Sequence, residues 1–501
     1  MSDPPAPAST DAALTLEAEL PPAVAETVLR AGPLALRRAG RARGAAHSLT
    51  WLDTAEGSLA SEGLAIEQPR RGPRRLLRIL PEPGTAWRPA TPAEALAALP
   101  PGEIPAEVNG APLLPIAGFV GSWTRIALAG GVEAVLVRGR LRAVMAEAPA
   151  ARLILSGPVP AVLETMAALA EAEPVLPPRT TLAEQARALA REEEPRPRRL
   201  GAPVLAPDLD VEAALELALG HLVEVLLWHA PVAAEGAKPE GVHQMRVAIR
   251  RLRSLLRAFR PACDGAALRD FDAGLKAIAA ALGPARDWDV FLGGLGAEIA
   301  AALPEEPRIA ALLRAARQRR EAAYAQLRPM LEGPALRRVA WGAVALAETR
   351  PWQAEDDAEA EARRAEPLAA FAAGVLDRRW KRIEAAGTEI AGLPDEEFHA
   401  LRIQAKRMRY AAELFAPLWS RKRAKRFLKH LAEVQEAFGL ANDAVVARSL
   451  MAVLAGRGGT ALAWASGVAE GWALARARHA RSRAAKAWDE LLAAGVFWDQ
   501  G

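Results

Sequence analysis

The sequence predicts a multidomain protein, with an N-terminal α+β domain followed by an all-α region made of two copies of one helical bundle. Three observations predict it. A basic segment, HQMRVAIRRLRSLLRAF from His243 to Phe259, recurs without a gap as HALRIQAKRMRYAAELF from His399 to Phe415, an offset of 399 − 243 = 156 residues. Before Leu209 the chain offers short β-like runs among Pro and Gly turns, and beyond it long runs rich in Ala, Leu and Arg. Between the two, EEEPRPRRLGAPVLAP from Glu192 to Pro207 sets four prolines and a glycine among charges, a composition that cannot hold a regular helix. The expected boundaries are a disordered tail at 1–13, a first domain at 14–191, a linker at 192–208 and helices at 209–498, with repeats at 209–350 and 366–498.

Taken in order, MSDPPAPASTDAA lacks the basic and apolar regions of a signal peptide and reads as a short tail. LTLEAEL, SLTWL, RLLRIL, AVLV and RLILS then alternate with turns, which predicts strands with a few helices between them. Val211 to Ala234 reads as the first helix of the second region. Glu212, Glu216 and Glu224 interrupt it, so no segment offers the roughly 20 unbroken apolar residues of a membrane span, and no membrane partner is expected. GPARDWDV from Gly283 and GLANDAVV from Gly439 each place a Gly and then an Asp between apolar runs, which predicts helix, turn, helix, with Asp287 and Asp443 as caps or as partners of arginines. EDDAEAEARR from Glu355 separates the two repeats, and its acids read as solvated surface. No strands are expected beyond Leu209.

The repeated segment carries the functional signal. At about 100° per residue from His243, Arg246, Arg250, Arg253, Arg257 and Arg260 fall between roughly 260° and 340°, and Arg251 lies off that stripe. Met245, Ile249, Leu252, Leu255, Leu256 and Phe259 fall between roughly 120° and 240°, the face a helix buries. Solvated helices mix signs, but Gly241 to Arg260 holds six arginines and no acid, and His399 to His430 holds ten Lys and Arg against Glu413 alone. Arginine outnumbers lysine 56 to 8, a compositional bias, yet bias does not put charge on one face twice. Such a stripe calls for a polyanion, and the arginine fork suits phosphate oxygens. Net charge is only +4, so the inference rests on clustering.

The candidate contacts are His243, Arg246, Arg250, Arg253, Arg257, His399, Arg402, Lys406, Arg409, Lys422, Lys425 and Lys429. The histidines sit near the helix starts, where an anion is favoured, and read either as phosphate contacts or as structural hydrogen-bond donors. No second ligand at tight spacing accompanies them, which argues against metal there. Two tyrosines and no interleaved aromatics on the stripe speak against base stacking, so nucleic acid is the weaker polyanion. No Walker-type loop, nucleophile–base pair or metal cluster is legible in this half. One cysteine, Cys263, excludes an internal disulfide and fits a reducing cytoplasm.

The motifs H-x-x-R-V-x-x-R-R-x-R at His243, A-R-D-x-D-V at Ala285, H-x-x-R-I-x-x-K-R-x-R-Y at His399 and L-x-x-V-Q-x-x-x-G-x-x-N-D-A at Leu431 resemble those of the CHAD family, the conserved histidine α-helical domain. The resemblance covers about Leu209 to Trp498. It implies two pseudo-symmetric bundles around a basic groove or pore that binds inorganic polyphosphate, often on cytoplasmic polyphosphate granules. The first 190 residues are similar to a degenerate CYTH domain, an antiparallel β-barrel or triphosphate tunnel, on LTLEAEL at Leu14, WLDTAEGSLASEGLAI at Trp51 and RLILSGPVPAVLETMAALA at Arg152.

Catalysis in that second family implies tunnel carboxylates holding Mg2+ or Mn2+. Here Pro21 stands where the motif has Lys, and Val137, Ala151 and Leu153 stand at later acidic positions. Glu17 and Glu19, with Glu133, remain as metal candidates for a triphosphatase or polyphosphatase reading. Arg70, Arg71, Arg74, Arg75 and Arg78 form a basic stretch that would grip an anion or lie solvated. The leading expectation is a polyphosphate-binding protein that needs no cofactor and has lost hydrolysis. Homodimerisation is left open.

Overall fold

The computed structural model describes residues 13–70, 74–78, 95–98, 107–108, 111–193, 202–354, 357–456 and 459–499. The tail at 1–12, Arg71, linker residues 194–201 and Glu355–Asp356 lie outside the described residues, as do the side chains of Arg78 and Asp443. The chain forms two compact units. One comprises Met1–Leu200, Val223–Trp228 and Glu332–Pro351, and the other Gly201–Leu222, His229–Leu331 and Trp352–Gly501.

The first unit begins β1 (Ala13–Glu19), α1 (Pro22–Thr27), α2 (Gly32–Leu36), β2 (Arg43–Asp53), α3 (Ser58–Ser61), β3 (Leu64–Pro69), β4 (Arg75–Arg78) and β5 (Ala95–Ala98). It continues with β6 (Glu107–Val108), β7 (Ala111–Pro112), β8 (Leu114–Ala127), β9 (Glu133–Arg142), β10 (Glu147–Pro158), α4 (Val159–Ala172) and α5 (Leu182–Ala190). Eight strands form one sheet in the order β1-β10-β9-β8-β2-β3-β4-β5, antiparallel at every pairing. β1 and β5 are its edges.

Alternation along β1 buries Leu14, Leu16 and Ala18, which pack with Leu153 and Leu155 of β10 and with Val162, Met166 and Leu169 of α4. A second core joins Leu49, Trp51 and Phe119 of the sheet to Ala183 and Ala186 of α5. The α5 helix opens on a reciprocal cap, in which Thr181 Oγ1 accepts from the Glu184 N–H and Glu184 accepts from the Thr181 N–H.

From Val211 onward the described residues contain helices and no strand. They are α6 (Val211–Glu235), α7 (Glu240–Phe259), α8 (Ala266–Gly293), α9 (Leu295–Ala302), α10 (Pro307–Glu332) and α11 (Pro334–Thr349). Then follow α12 (Ala358–Arg364), α13 (Leu368–Glu384), α14 (Asp395–Phe415), α15 (Arg421–Ala455) and α16 (Gly459–Ala493). Adding 156 to the starts of α6, α7 and α8 gives 367, 396 and 422, each one residue from the starts of α13, α14 and α15. The duplication is thus structural. α6 and α15 are long and apolar enough by composition to cross a membrane, and most of the apolar stretch of α6 is buried within the protein.

The two expected turns are absent. Gly283 and Pro284 lie inside α8, and Gly439 lies inside α15. Side-chain burial outweighs the local breakers, because Leu282, Ala285, Trp288 and Phe291 continue one buried face through the proline. Pro284 has no N–H for the Ala280 carbonyl. One residue earlier, the carbonyl of Ala279 accepts a hydrogen bond from Arg246 Nη1 at 3.2 Å.

Candidate anion-binding site

The apolar stripe of α7 sets the direction of its charges. Met245, Ile249, Leu252, Leu255, Leu256 and Phe259 are buried, and so are their counterparts Leu401, Ala405, Met408, Ala411, Ala412 and Phe415 on α14. The matched phenylalanines meet, with the rings of Phe259 and Phe415 5.8 Å apart and Phe371 of α13 5.3 Å from Phe259. Burying a side chain of that size contributes on the order of 2–3 kcal/mol. Upstream, α6 ends at Gly236 in the left-handed conformation (φ 75°) and α7 crosses it closely at Gly241. A Cβ on Gly241 would stand 2.4 Å from the backbone nitrogen of Ala233, so only glycine fits that crossing.

With the apolar face docked, two groups of cations form along α7. The first joins His243, Arg246 and Arg250 to Arg286 of α8. Burial and then Arg286 push the His243 pKa below its ordinary value, so its imidazole is neutral at pH 7. Arg246 is lowered by burial and by Arg250. Asp287 lies beside it, its carboxyl pulled upward by burial against the opposing pull of Arg246 and Arg286. That half-buried Asp287 is a neighbour of the arginines rather than a helix cap. Asp289 is the structural acid of the motif, accepting from Arg320 Nε at 2.6 Å and Tyr324 Oη at 2.7 Å.

The second group gathers Arg253 and Arg257 of α7, Arg407 of α14 and Arg378, Arg379 and Arg382 of α13. Arg379 is its centre. Its Nη1 donates to the Arg407 carbonyl and, at 3.4 Å, to Ser254 Oγ. Burial, followed by Arg407, Arg257, Arg382 and Arg378, pushes its pKa down to about 10. Asp272 faces this group from α8, accepting two hydrogen bonds from Arg253 at 2.7 and 3.2 Å, and Glu366 and Asp377 lie near Arg378. From Arg246 to Arg257 the cationic face runs about 16 Å along the helix axis.

The other candidates fall in several surroundings. Arg253 and Arg409, equivalent in the repeat, are each neutralised, the latter by Glu413 Oε1 at 2.7 Å. Glu413 also accepts from Arg251 at 3.0 Å, so the off-stripe arginine of one copy is tied to the second. Arg402 and Lys406 are half-buried on α14, and His399 is exposed. His243 is the fourth residue of α7 and its N–H already donates to the Pro239 carbonyl, while His399 lies a full turn into α14. Neither therefore marks a free helix start. Lys422 and Lys425 stand exposed on α15, and Lys429 lies 3.7 Å from Glu433.

Sequence reasoning missed Arg286, Arg378, Arg379, Arg382 and Arg407. Arg407 is the counterpart of the off-stripe Arg251 and was set aside with it, while the α13 arginines fall opposite apolar positions of α6, so the repeat carried no sign of those three. It also missed a metal-capable group. His430, Glu433 and Glu490 offer one ligand atom each within 4.8 Å of one another. The local hint was the three-residue spacing of His430 and Glu433, and Glu490 is brought in from α16.

In the first unit, Glu17 and Glu19 share one face of β1, and that face holds a guanidinium. Arg152 Nε lies 3.0 Å from Glu17, and Arg152 Nη1 3.7 Å from Glu19, with Arg152 2% exposed. A cation at the two carboxylates would have to displace it. Glu133 lies 3.4 Å from Arg125. Arg70 is exposed, Arg74 donates to Gln68 at 3.1 Å, and Arg75 lies near His47 and Glu67.

Residues 213–452 match the CHAD domain family. Among solved structures, the CHAD domain from the plant Ricinus communis is 29% identical over 60% of this chain and 96% of its own, with a TM-score of 0.49. PptA from Streptomyces chartreusis is 18% identical over 56% of this chain and 100% of its own, with a TM-score of 0.40. No curated protein matches the chain. The duplicated helices, their basic motifs and the family match agree, and residues 213–452 of this chain are a CHAD domain.

Proposed function

We propose that the helical domain binds inorganic polyphosphate along the cationic face of α7, α13 and α14. The observation that carries this reading is the position of Arg379, half-buried on α13 among Arg407, Arg257, Arg382 and Arg378. Like charges gathered this way are costly unless an anion neutralises them. A chain of phosphates supplies several anionic groups at once, along a track of about 16 Å. The CHAD resemblance supports the choice of polyphosphate and, with it, cytoplasmic polyphosphate granules as the place of action. No chemistry is assigned to the site, and no cofactor is required by it.

Titration of the full chain with polyphosphates of graded length tests the reading. Affinity is expected to rise with length until the track is filled, and to fall steeply with salt as released counterions oppose binding. Displacement of long polyphosphate by DNA or RNA at equal phosphate concentration would instead make the surface a general polyanion site.

A further inference from the structure

We infer that His430, Glu433 and Glu490 form a binding site for a divalent ion of the zinc class, on the α15–α16 hairpin. His430 and Glu433 are three apart on α15, hence on one helix face, and Glu490 reaches them from the antiparallel α16. Paired helices of a bundle build metal sites in this way, from a carboxylate and a histidine at three-residue spacing plus a ligand from the facing helix. One ligand atom from each lies within 4.8 Å of the others. Metal–ligand bonds of about 2.0–2.2 Å would draw them to roughly 3–4 Å apart, a shift within reach of side-chain rotation.

A second observation points the same way. Nδ1 of His430 is shielded from solvent and makes no hydrogen bond, and it lies 3.4 Å from Glu433 Oε2. A shielded ring nitrogen beside a carboxylate gains a partner when a cation sits between them. Lys429 stands 3.7 Å from Oε1 of Glu433, the other oxygen, which leaves Oε2 facing the histidine. An imidazole among the ligands selects zinc, cobalt or nickel over magnesium and calcium, which take oxygen donors. Three protein ligands leave at least one coordination position to water.

The inference is independent of the anion reading, since none of the three residues belongs to the α7, α13 and α14 face. The test is equilibrium dialysis and calorimetry of the untagged full chain with Zn2+, and visible absorption with Co2+. One ion per chain is expected, Mg2+ should not compete, and His430→Ala and Glu490→Gln should each weaken Zn2+ binding at least tenfold. Glu490 is exposed, so its substitution leaves the fold intact. Polyphosphate titration in the presence of a chelator should be unchanged in both variants, which separates this site from the anion track. Zn2+ affinity equal in the parent and both variants, or no Zn2+ uptake, would overturn the inference.

Discussion

The Arg379 guanidinium donates to the main-chain carbonyl of Arg407, which pins a cation of α13 beneath the second basic helix. A pKa lowered from 12.5 to about 10 corresponds to roughly 3 kcal/mol disfavouring the charged form, at about 1.4 kcal/mol per unit. Bound polyphosphate offsets that cost. Arg379→Gln is therefore expected to weaken polyphosphate binding by about tenfold or more while leaving the anion-free melting temperature unchanged or higher. Calorimetric titration and thermal unfolding of the same preparation check both halves.

Arg246→Glu with Arg402→Glu should abolish most binding, but the first substitution also removes the donor to Ala279 beside Pro284 and is expected to cost about 1–3 kcal/mol of stability. Arg257→Glu is the cleaner probe, because Arg257 is exposed and meets no such backbone acceptor. It should lower affinity severalfold, with a shallower salt dependence, at little cost to folding. Binding at moderate salt equal to that of the parent would argue against the α7 face.

Three histidines, His47, His229 and His243, have folded pKa values below the ordinary 6.5, burial being the largest cause in each. A depressed folded pKa means that the stability they contribute is fully present above about pH 6.5 and is lost as pH falls through the folded values. The urea midpoint should therefore drop between about pH 7.5 and 5, and His243→Gln should lessen the drop. Anion bound beside His243 reverses the pull on its imidazole. Polyphosphate binding is expected to take up a proton below about pH 6.5, read as a buffer-dependent calorimetric heat.

Glu17 and Arg152 form a buried pair, so Glu17→Ala leaves the guanidinium with Glu19 at 3.7 Å and the carbonyls of Ala151 and Thr180, and is expected to destabilise the first unit by about 1–3 kcal/mol. Phosphate release from tripolyphosphate with Mg2+ or Mn2+ is expected to stay at background in the parent, since Arg152 occupies the face a metal would need. Turnover that Glu17→Ala removes would install the triphosphatase reading instead.

The helical duplication was legible because a 156-residue offset preserves both the buried and the cationic positions of α7 and α14. Period-two alternation along LTLEAEL likewise puts Glu17 and Glu19 on one face of β1, and the structure buries Leu14, Leu16 and Ala18 on the other. The turns expected at Gly283 and Gly439 are helix instead, because glycine and proline act locally whereas the buried faces of α8 and α15 extend through them. The α13 arginines were beyond reach for a different reason: they meet α7 and α14 only through the packing of Phe259, Phe371 and Phe415. Nor does periodicity show which stripe arginines already have acids, such as Arg253 with Asp272.

Trp341, Val344 and Ala347 of α11 share a core with Leu153, Leu155 and Met166, and Arg337 donates to the Ala170 carbonyl. That core is therefore completed by residues made 347 − 170 = 177 positions after α4 has nearly ended. At about 5–20 residues per second, ribosomal synthesis leaves the sheet waiting roughly 10 to 35 s for its last helix. During that interval its apolar flank is uncovered on the nascent chain, the period in which a chaperone is most needed.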